Sequence, residues 1–331
     1  MAGCLRARAG TRRRMNDDET QTKRHAAHAT GAWKAMLNEQ QIRIAETRVQ
    51  RRPQAVRQQR SGWRRGRAWL ALLSLPLVLF LALPLLAILL RTPPGLLLSN
   101  LQQPAVMQAI GLSFATTTIT TLLTILMGTP LAYLLARYNF RGRALLDTLI
   151  DAPIVLPPAV AGIGLLLAFG RRGIWGSYLD DLGLTIAFTQ AAVVLAQLFV
   201  SAPLYIKAAT TGFMSVDREL EQAAALDGAS GLQVFKLITA PLAFPALCGG
   251  VVMAWARALG EFGATIIFAG NLPGRTQTMP LAIYIGFELE LSVALTLSVI
   301  LLACSFGVLM ITKALLKRQI TPEEVSIAHG A

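Results

Sequence analysis

Lys207-Ala-Ala-Thr-Thr-Gly-Phe-Met-Ser-Val-Asp217-Arg-Glu-Leu-Glu221-Gln-Ala-Ala-Ala-Leu-Asp-Gly228-Ala-Ser-Gly-Leu-Gln-Val-Phe-Lys-Leu-Ile238-Thr-Ala-Pro241 separates two long apolar runs of this 331-residue chain. A membrane loop is usually short or without local signals; this one reads as a folded helical hairpin. Its first helix opens near Ser215 or Asp217, so that Asp217, Glu219 and Glu221 sit where the helix dipole favours anions. Gly228 fits the position just past a helix end, where the backbone turns left-handed. A second helix starts at Ser230, because Ser230 and Gln233 have capping-box spacing. Leu232, Phe235 and Ile238 then share a face, and Pro241 starts the next span. Ala223, Ala224 and Ala225 form a small-residue patch that lets another surface come close. Two readings fit this pattern: a docking surface for a soluble partner, or an interfacial helix lying on the membrane.

Around the hairpin the chain is apolar. Hydrophobic residues make up 54%, charged residues 15% and mean hydropathy is +0.52. Soluble domains carry roughly 25% charge, so the class is an all-α, polytopic membrane bundle. A crossing helix needs about 20 apolar residues. Six stretches meet that length: roughly 68–90, 109–136, 148–169, 184–206, 242–269 and 291–315. The third holds Asp151, Pro153, Pro157, Pro158, Gly162 and Gly164, and is expected to be kinked and packed on protein rather than lipid.

The net charge of +13 belongs to one end. Residues 1–66 hold 16 Lys/Arg against 5 Asp/Glu, whereas the remainder is nearly balanced, 15 against 13. This tail has no apolar run. It reads as a disordered cytosolic extension or an upstream start; binding of nucleic acid or anionic lipid headgroups is the competing reading, and no folded recognition module accompanies the charge. Residues 32–52 suit a helix. The chain therefore divides into a basic tail (1–66), a transmembrane domain (67–318, with the 207–241 loop) and a C-terminal tail (319–331), with lipid as a partner and nucleic acid not expected.

Orientation follows from Lys/Arg near the span ends. Arg64, Arg65, Arg67, Arg137, Arg141, Arg143, Lys207, Arg218, Lys236, Lys313, Lys317 and Arg318 fall on one side; Arg91, Arg171, Arg172 and Arg275 fall on the other. The richer side is the cytoplasm, which puts the hairpin and both termini there. The Arg171-Arg172 pair is the discordant spot, and Asp180 and Asp181 share its loop.

Cys4, Cys248 and Cys304 have neither metal nor redox spacing, and His25, His28 and His329 lie in the tails, so neither a metal site nor a disulfide framework is expected. None of the six lysines follows a glycine, as a phosphate-binding loop requires. Any ATP hydrolysis therefore falls to another chain, and no cofactor is expected on this one. Inside the fifth apolar run, Arg257 and Glu261 stand four residues apart and can pair on one helix face. Gly260 and Gly263 flank Glu261 and permit close helix approach. The four residues read either as a lining or gate of a polar path or as an ion pair that only holds packing. Beyond them, Asn271, Arg275, Thr276, Gln277 and Thr278 offer polar groups for docking on the outer face, or form an ordinary polar loop.

The 207–241 segment resembles the EAA loop of ABC-importer permeases: Glu-Ala-Ala, three residues, Gly, nine residues, Ile-x-Leu-Pro. The pattern falls on Gln222, Ala223, Ala224, Gly228, Ile238 and Pro241. Gln222 replaces the usual Glu, with Glu221 one residue earlier, and Ala240 replaces the usual Leu. Two further stretches are similar to molybdate-type permease subunits. One is Trp255–Tyr284, with Gly260-Glu261-Phe-Gly263 and Pro273-Gly-Arg275-Thr276-Gln277-Thr278. The other is Val155-Leu-Pro157-Pro158-Ala-Val-Ala-Gly162, continuing to Phe169-Gly-Arg171-Arg-Gly173. The Pro-Gly-Arg-Thr-Gln-Thr stretch separates this pattern from sulfate-type permeases. The resemblance spans roughly 70–316 and implies a type I importer fold of the bacterial inner membrane. It further implies a homodimer with the path at its interface, a coupling helix that fits a cleft in each of two ABC ATPase subunits, which use ATP and Mg2+, and a periplasmic molybdate-binding protein. Sulfate, thiosulfate or tungstate is the alternative cargo.

Overall fold

The computed structural model describes residues 69–70 and 72–319, without the side chains of 311 and 314–319. The basic tail of residues 1–66 and most of the 319–331 tail lie outside the described residues. The chain divides at Ala82/Leu83 into two units. The described part of the first is the opening of α1 (Leu72–Arg91), an apolar helix of 20 residues and mean hydropathy 2.7. The second holds everything that follows, and among the described residues it is helical without strands.

Prolines set many of the helix starts. α2 (Pro94–Leu101), α3 (Pro104–Arg137), α5 (Pro158–Phe169) and α12 (Met279–Leu289) all carry Pro at the first or second position, where the missing N–H costs nothing. The others are α4 (Arg143–Val155), α6 (Gly176–Asp181), α7 (Gln190–Ser215), α8 (Arg218–Leu226), α9 (Gly231–Val234), α10 (Ala240–Leu259), α11 (Gly263–Phe268) and α13 (Leu291–Gln319). A π turn, Phe235–Thr239, joins α9 to α10, so that Gly231–Leu259 forms one apolar helix. Among the described residues five helices are long and apolar enough to cross a membrane, or six if α4 and α5 together make one span. The chain is a multi-pass membrane protein.

The expected kink in the third stretch is a bend of 117° between α4 and α5, at Leu156-Pro157. Two other spans differ from expectation. The fourth does not end at residue 206. α7 runs on to Ser215, because Ala209, Gly212 and Phe213 continue its buried face, and the Lys207 ammonium meets Asp147 and Asp151 of α4 at 2.7 and 2.9 Å. Lys207 therefore belongs to a helix, not to the loop. The fifth span stops at Leu259 rather than 269, and the chain breaks at Gly260–Phe262 before α11.

α3, α7 and α10 form the centre. α3 and α7 run parallel: Thr120 meets Gln197, Thr129 meets Tyr205 and Thr210 meets the Ala132 carbonyl. α10 runs antiparallel to α7 through small residues, Gly212 against Ala246 and Gly250 against Ala208, close enough that a Cβ on either glycine would fall within 3 Å of the facing methyl. Without a hydrophobic drive between helices in lipid, such close backbone approach supplies the packing energy. α3 also buries Ser113, Thr116, Thr117, Thr120, Thr121 and Thr124. Several of these hydroxyls return their hydrogen bond to the carbonyl four residues earlier, as Thr121 does at 2.8 Å, so the polar stripe costs little in an apolar setting.

Candidate functional site

The hairpin forms as the spacing predicts. Asp217 caps α8 by accepting from the Glu219 N–H at 2.9 Å. Just past the end of α8 stands Gly228 with φ +91°; the Gly228 N–H donates to the Ala225 carbonyl and the Ala229 N–H to that of Ala224. This double closure is the Schellman motif. At the next start, the Ser230 N–H donates to Gln233 Oε1 at 2.7 Å.

Two anchors tie the hairpin to the bundle. The first is polar. Glu221 Oε1 accepts from Arg137 Nη2 at 2.7 Å and from Thr239 Oγ1 at 2.6 Å, joining α8, the end of α3 and the π turn at one oxygen. Arg137 also donates to the Val216 carbonyl at 3.1 Å. Both ionic side chains are mostly buried, 7% and 15% exposed. The second anchor is aromatic. Phe235 packs edge-on to Tyr133 and tilted on Phe213, with ring centroids 5.2 and 5.9 Å apart.

Glu221 thus turns toward the bundle, while Gln222, Ala223, Gly228 and Pro241 are exposed and Ala224 and Ile238 are half-buried. The expected face of Leu232, Phe235 and Ile238 does not form as drawn. Leu232 is 63% exposed, and Val234 and Thr239 are the buried residues. The π turn puts an extra residue into one turn and shifts the register of everything after it. Leu220, Leu226 and Leu232, which precede the π turn, and Leu237 within it are exposed, an apolar outer surface on an otherwise polar hairpin.

Arg257 and Glu261 do pair, at 2.8 Å, but not on one helix face. Glu261 lies past the end of α10, where its Oε1 accepts from the Ala264 N–H at 2.8 Å and caps α11. It is 1% exposed, and Arg257 carries the solvent-facing half of the pair. Gly263 permits close approach, since a Cβ there would stand 2.7 Å from Pro158 Cβ; Gly260 does not, having only the Ala256 carbonyl near it at 3.7 Å. Gly162 on α5 faces α11 in the same way, 2.8 Å from the Ala264 carbonyl oxygen.

The 270–278 segment is only partly a surface. Arg275 is exposed, and Asn271 and Gln277 are half-buried. Thr276 and Thr278 are buried, which removes them from any docking face: Thr276 Oγ1 accepts from the Leu272 N–H and closes the loop on itself. The hairpin and this segment lie at opposite ends of α10, a 20-residue helix about 30 Å long.

Sequence reading missed Arg137 and Thr239 as partners of Glu221, and the α4–α7 ion cluster. Arg137 ends an apolar run, where a basic residue signals orientation and gives no sign of a carboxylate partner 84 residues on. Lys207 with Asp147 and Asp151 four residues apart was a visible signal of paired helix faces. Among the described residues no group of His, Cys, Asp and Glu has the arrangement of a metal site.

A family model described as "binding-protein-dependent transport system inner membrane component" matches residues 128–320, more than half of the chain. The chain belongs to this family. Its match contains the hairpin, the α4–α5 bend and the Arg257–Glu261 pair. Among curated relatives of this permease, the molybdenum transport system permease protein ModB of Mycobacterium tuberculosis is 41% identical over 233 residues, covering 70% of this chain and 88% of that protein. The protein of the same name from Escherichia coli K12 is 46% identical over 178 residues, covering 54% and 78%. Among solved structures, a bacterial alginate ABC transporter in complex with an alginate pentasaccharide-bound periplasmic protein aligns with TM-score 0.59 at 18% identity, covering 76% of this permease and 95% of that chain. At that identity the likeness shows the fold alone.

Proposed function

We propose that this permease is the membrane-spanning subunit of a molybdate importer, working as a homodimer with two ATP-hydrolysing subunits and a soluble molybdate-binding protein on the outer side. The observation that carries the cargo is its likeness, across most of their length, to permeases named for molybdenum transport. The hairpin supports the division of labour: a rigid, doubly anchored element with exposed leucines is the shape of a docking knob for a soluble subunit. The Lys/Arg asymmetry supports a cytoplasmic hairpin and cytoplasmic termini. Hydrolysis in the partner subunits pushes on the hairpin, Glu221 and Phe235 pass the motion to α3 and α7, and the Arg257–Glu261–α11 corner at the far end of α10 moves with them as the gate. This chain contributes no catalytic group and binds no cofactor; ATP and Mg2+ belong to the partner.

The test is molybdenum accumulation at trace molybdate in a host lacking its own molybdate permease, with the cognate ATPase and binding protein co-expressed. Uptake that excess sulfate spares and tungstate competes for is the expected result. Uptake blocked by sulfate would transfer the assignment to sulfate, and no oxyanion uptake by the assembled complex would refute the cargo. Within this reading, Gly228→Val uncouples hydrolysis from uptake. Nothing lies within 4 Å of a Cβ at Gly228, so the cost is the left-handed backbone alone, about 1–3 kcal/mol, and it falls on the hairpin rather than on membrane insertion. Gly228→Asn, which tolerates that conformation, retains most uptake. Equal coupling in Gly228→Val and wild type would remove the hairpin from the mechanism.

A further inference from the structure

Arginines are depleted from the translocated side of membrane proteins, yet Arg171 and Arg275 lie there on the charge count, in different loops. The structure brings both to one cavity of about 380 Å3. Among the described residues neither side chain has an ion-pair or hydrogen-bond partner, so their charges are not consumed by the fold. Leu166, Phe169 and Leu184 give the cavity an apolar lining, and Asp180 contributes a carboxylate. One wall is strained. Phe188, at φ +62°, is the only non-glycine residue with positive φ among those described. Its N–H donates to the Phe268 carbonyl at 3.3 Å, and its ring stands against Gly270, 3.1 Å from where a Cβ would be. An aromatic residue held in the left-handed region marks a place where the surroundings over-determine the backbone.

We propose that this cavity is the socket for an acidic side chain of the soluble binding protein that docks on this permease, an inference that rests on the importer reading above. A carboxylate on an apolar stem fits both parts of the site. Its stem lies along Leu166, Phe169 and Leu184, and its oxygens accept charge-assisted hydrogen bonds from the two guanidinium groups. A free tetrahedral dianion fits poorly. It needs polar partners on all sides to replace its water, whereas most of this lining is apolar, and its two charges meet more repulsion from Asp180 than the single charge of a carboxylate does. The partner chemistry is therefore a glutamate or aspartate presented from a protein surface. Arg171 follows α5, whose Gly162 packs on α11, and Arg275 follows α11, so an acid seated between them bears on the two elements that meet at the gate corner.

The experiment titrates labelled cognate binding protein onto the complete transporter complex in nanodiscs, at low and high salt. Arg171→Glu/Arg275→Glu weakens binding at least about tenfold and flattens its salt dependence. Arg91→Glu, a single charge reversal elsewhere on that side, leaves affinity within about twofold. Where the double reversal fails to assemble, Arg171→Gln/Arg275→Gln is read in the same titration and still weakens binding. Wild-type affinity and salt dependence in the assembled double variant would overturn the socket alone. Failure of the wild-type complex to bind the protein at all would overturn the importer reading and the socket with it. A second arm measures radiolabelled molybdate on the complex without binding protein: no saturable binding is expected at this cavity, and saturable binding lost in the double variant would make it a free-oxyanion site instead.

Discussion

Glu221→Ala abolishes transport while leaving the permease in the membrane. The substitution removes the one oxygen that holds α8, α3 and the π turn together and strands Arg137, whose side chain is 7% exposed. Removing one partner of a buried ion pair costs about 3–5 kcal/mol, because the other charge stays buried and unpaired. For a nine-residue helix with no buried residue of its own, that shifts the docked-to-detached balance roughly a hundredfold or more. The prediction has an internal control. Arg137→Leu/Glu221→Leu removes both charges and is less damaging than either single change, because nothing charged is left without a partner. Oxyanion uptake, ATP hydrolysis by the assembled complex and protease sensitivity of the hairpin read the three consequences separately. Wild-type uptake by Glu221→Ala would show that the anchor carries no force.

Gly162→Val has the second large effect, through packing rather than charge. The new side chain meets backbone on arrival: the Ala264 carbonyl oxygen at 2.8 Å and its Cα at 3.0 Å, with Ile267 Cβ at 3.0 Å. Backbone cannot swing aside as a flexible side chain does, so α5 and α11 must part. Overpacking of this kind costs about 1–3 kcal/mol or more. It also pulls on Glu261, which caps α11 and holds Arg257. Uptake is lost and the unfolding midpoint of the purified complex falls. Gly164→Val, two residues along the same helix, has nothing within 4 Å and leaves the midpoint near wild type. Equal midpoints for the two variants would refute the packing argument.

The sequence made some of this legible and hid the rest for physical reasons. The hairpin's limits were readable because capping is local: Asp217, Gly228 and the Ser230/Gln233 pair each act within four residues. Its facing was only partly so: a π turn is an insertion of one residue with no composition of its own and resets the register from Phe235 onward, whereas Leu232 precedes it, in a four-residue helix that buries only Val234. The all-helical membrane fold followed from apolar length. The true end of α7 did not, since Lys207 looks like a loop residue until Asp147 and Asp151 are found opposite it, 60 and 56 residues earlier in the chain. The Arg257–Glu261 contact was legible from spacing, yet its geometry depends on a chain break that the apolar run conceals. Thr276 and Thr278 illustrate the converse: polar residues in a polar loop look exposed, and their burial depends on helices that meet only in three dimensions.

The 117° bend at Leu156-Pro157 also bears on how the protein is made. α4 and α5 have 13 and 12 residues, about 20 and 18 Å of helix, so each arm alone falls well short of a hydrocarbon layer of about 30 Å. Neither is a good stop signal for the machinery that releases helices into lipid. The backbone at the bend needs protein around it rather than acyl chains, and the surfaces that pack on these arms, α7 and α11, lie later in the chain. Synthesis at about 5–20 residues per second leaves an interval of roughly 5–20 s between the end of α5 and the arrival of α11. For that time the bend is without the surfaces that cover it in the finished bundle, and the span is completed only by the chain's own later helices.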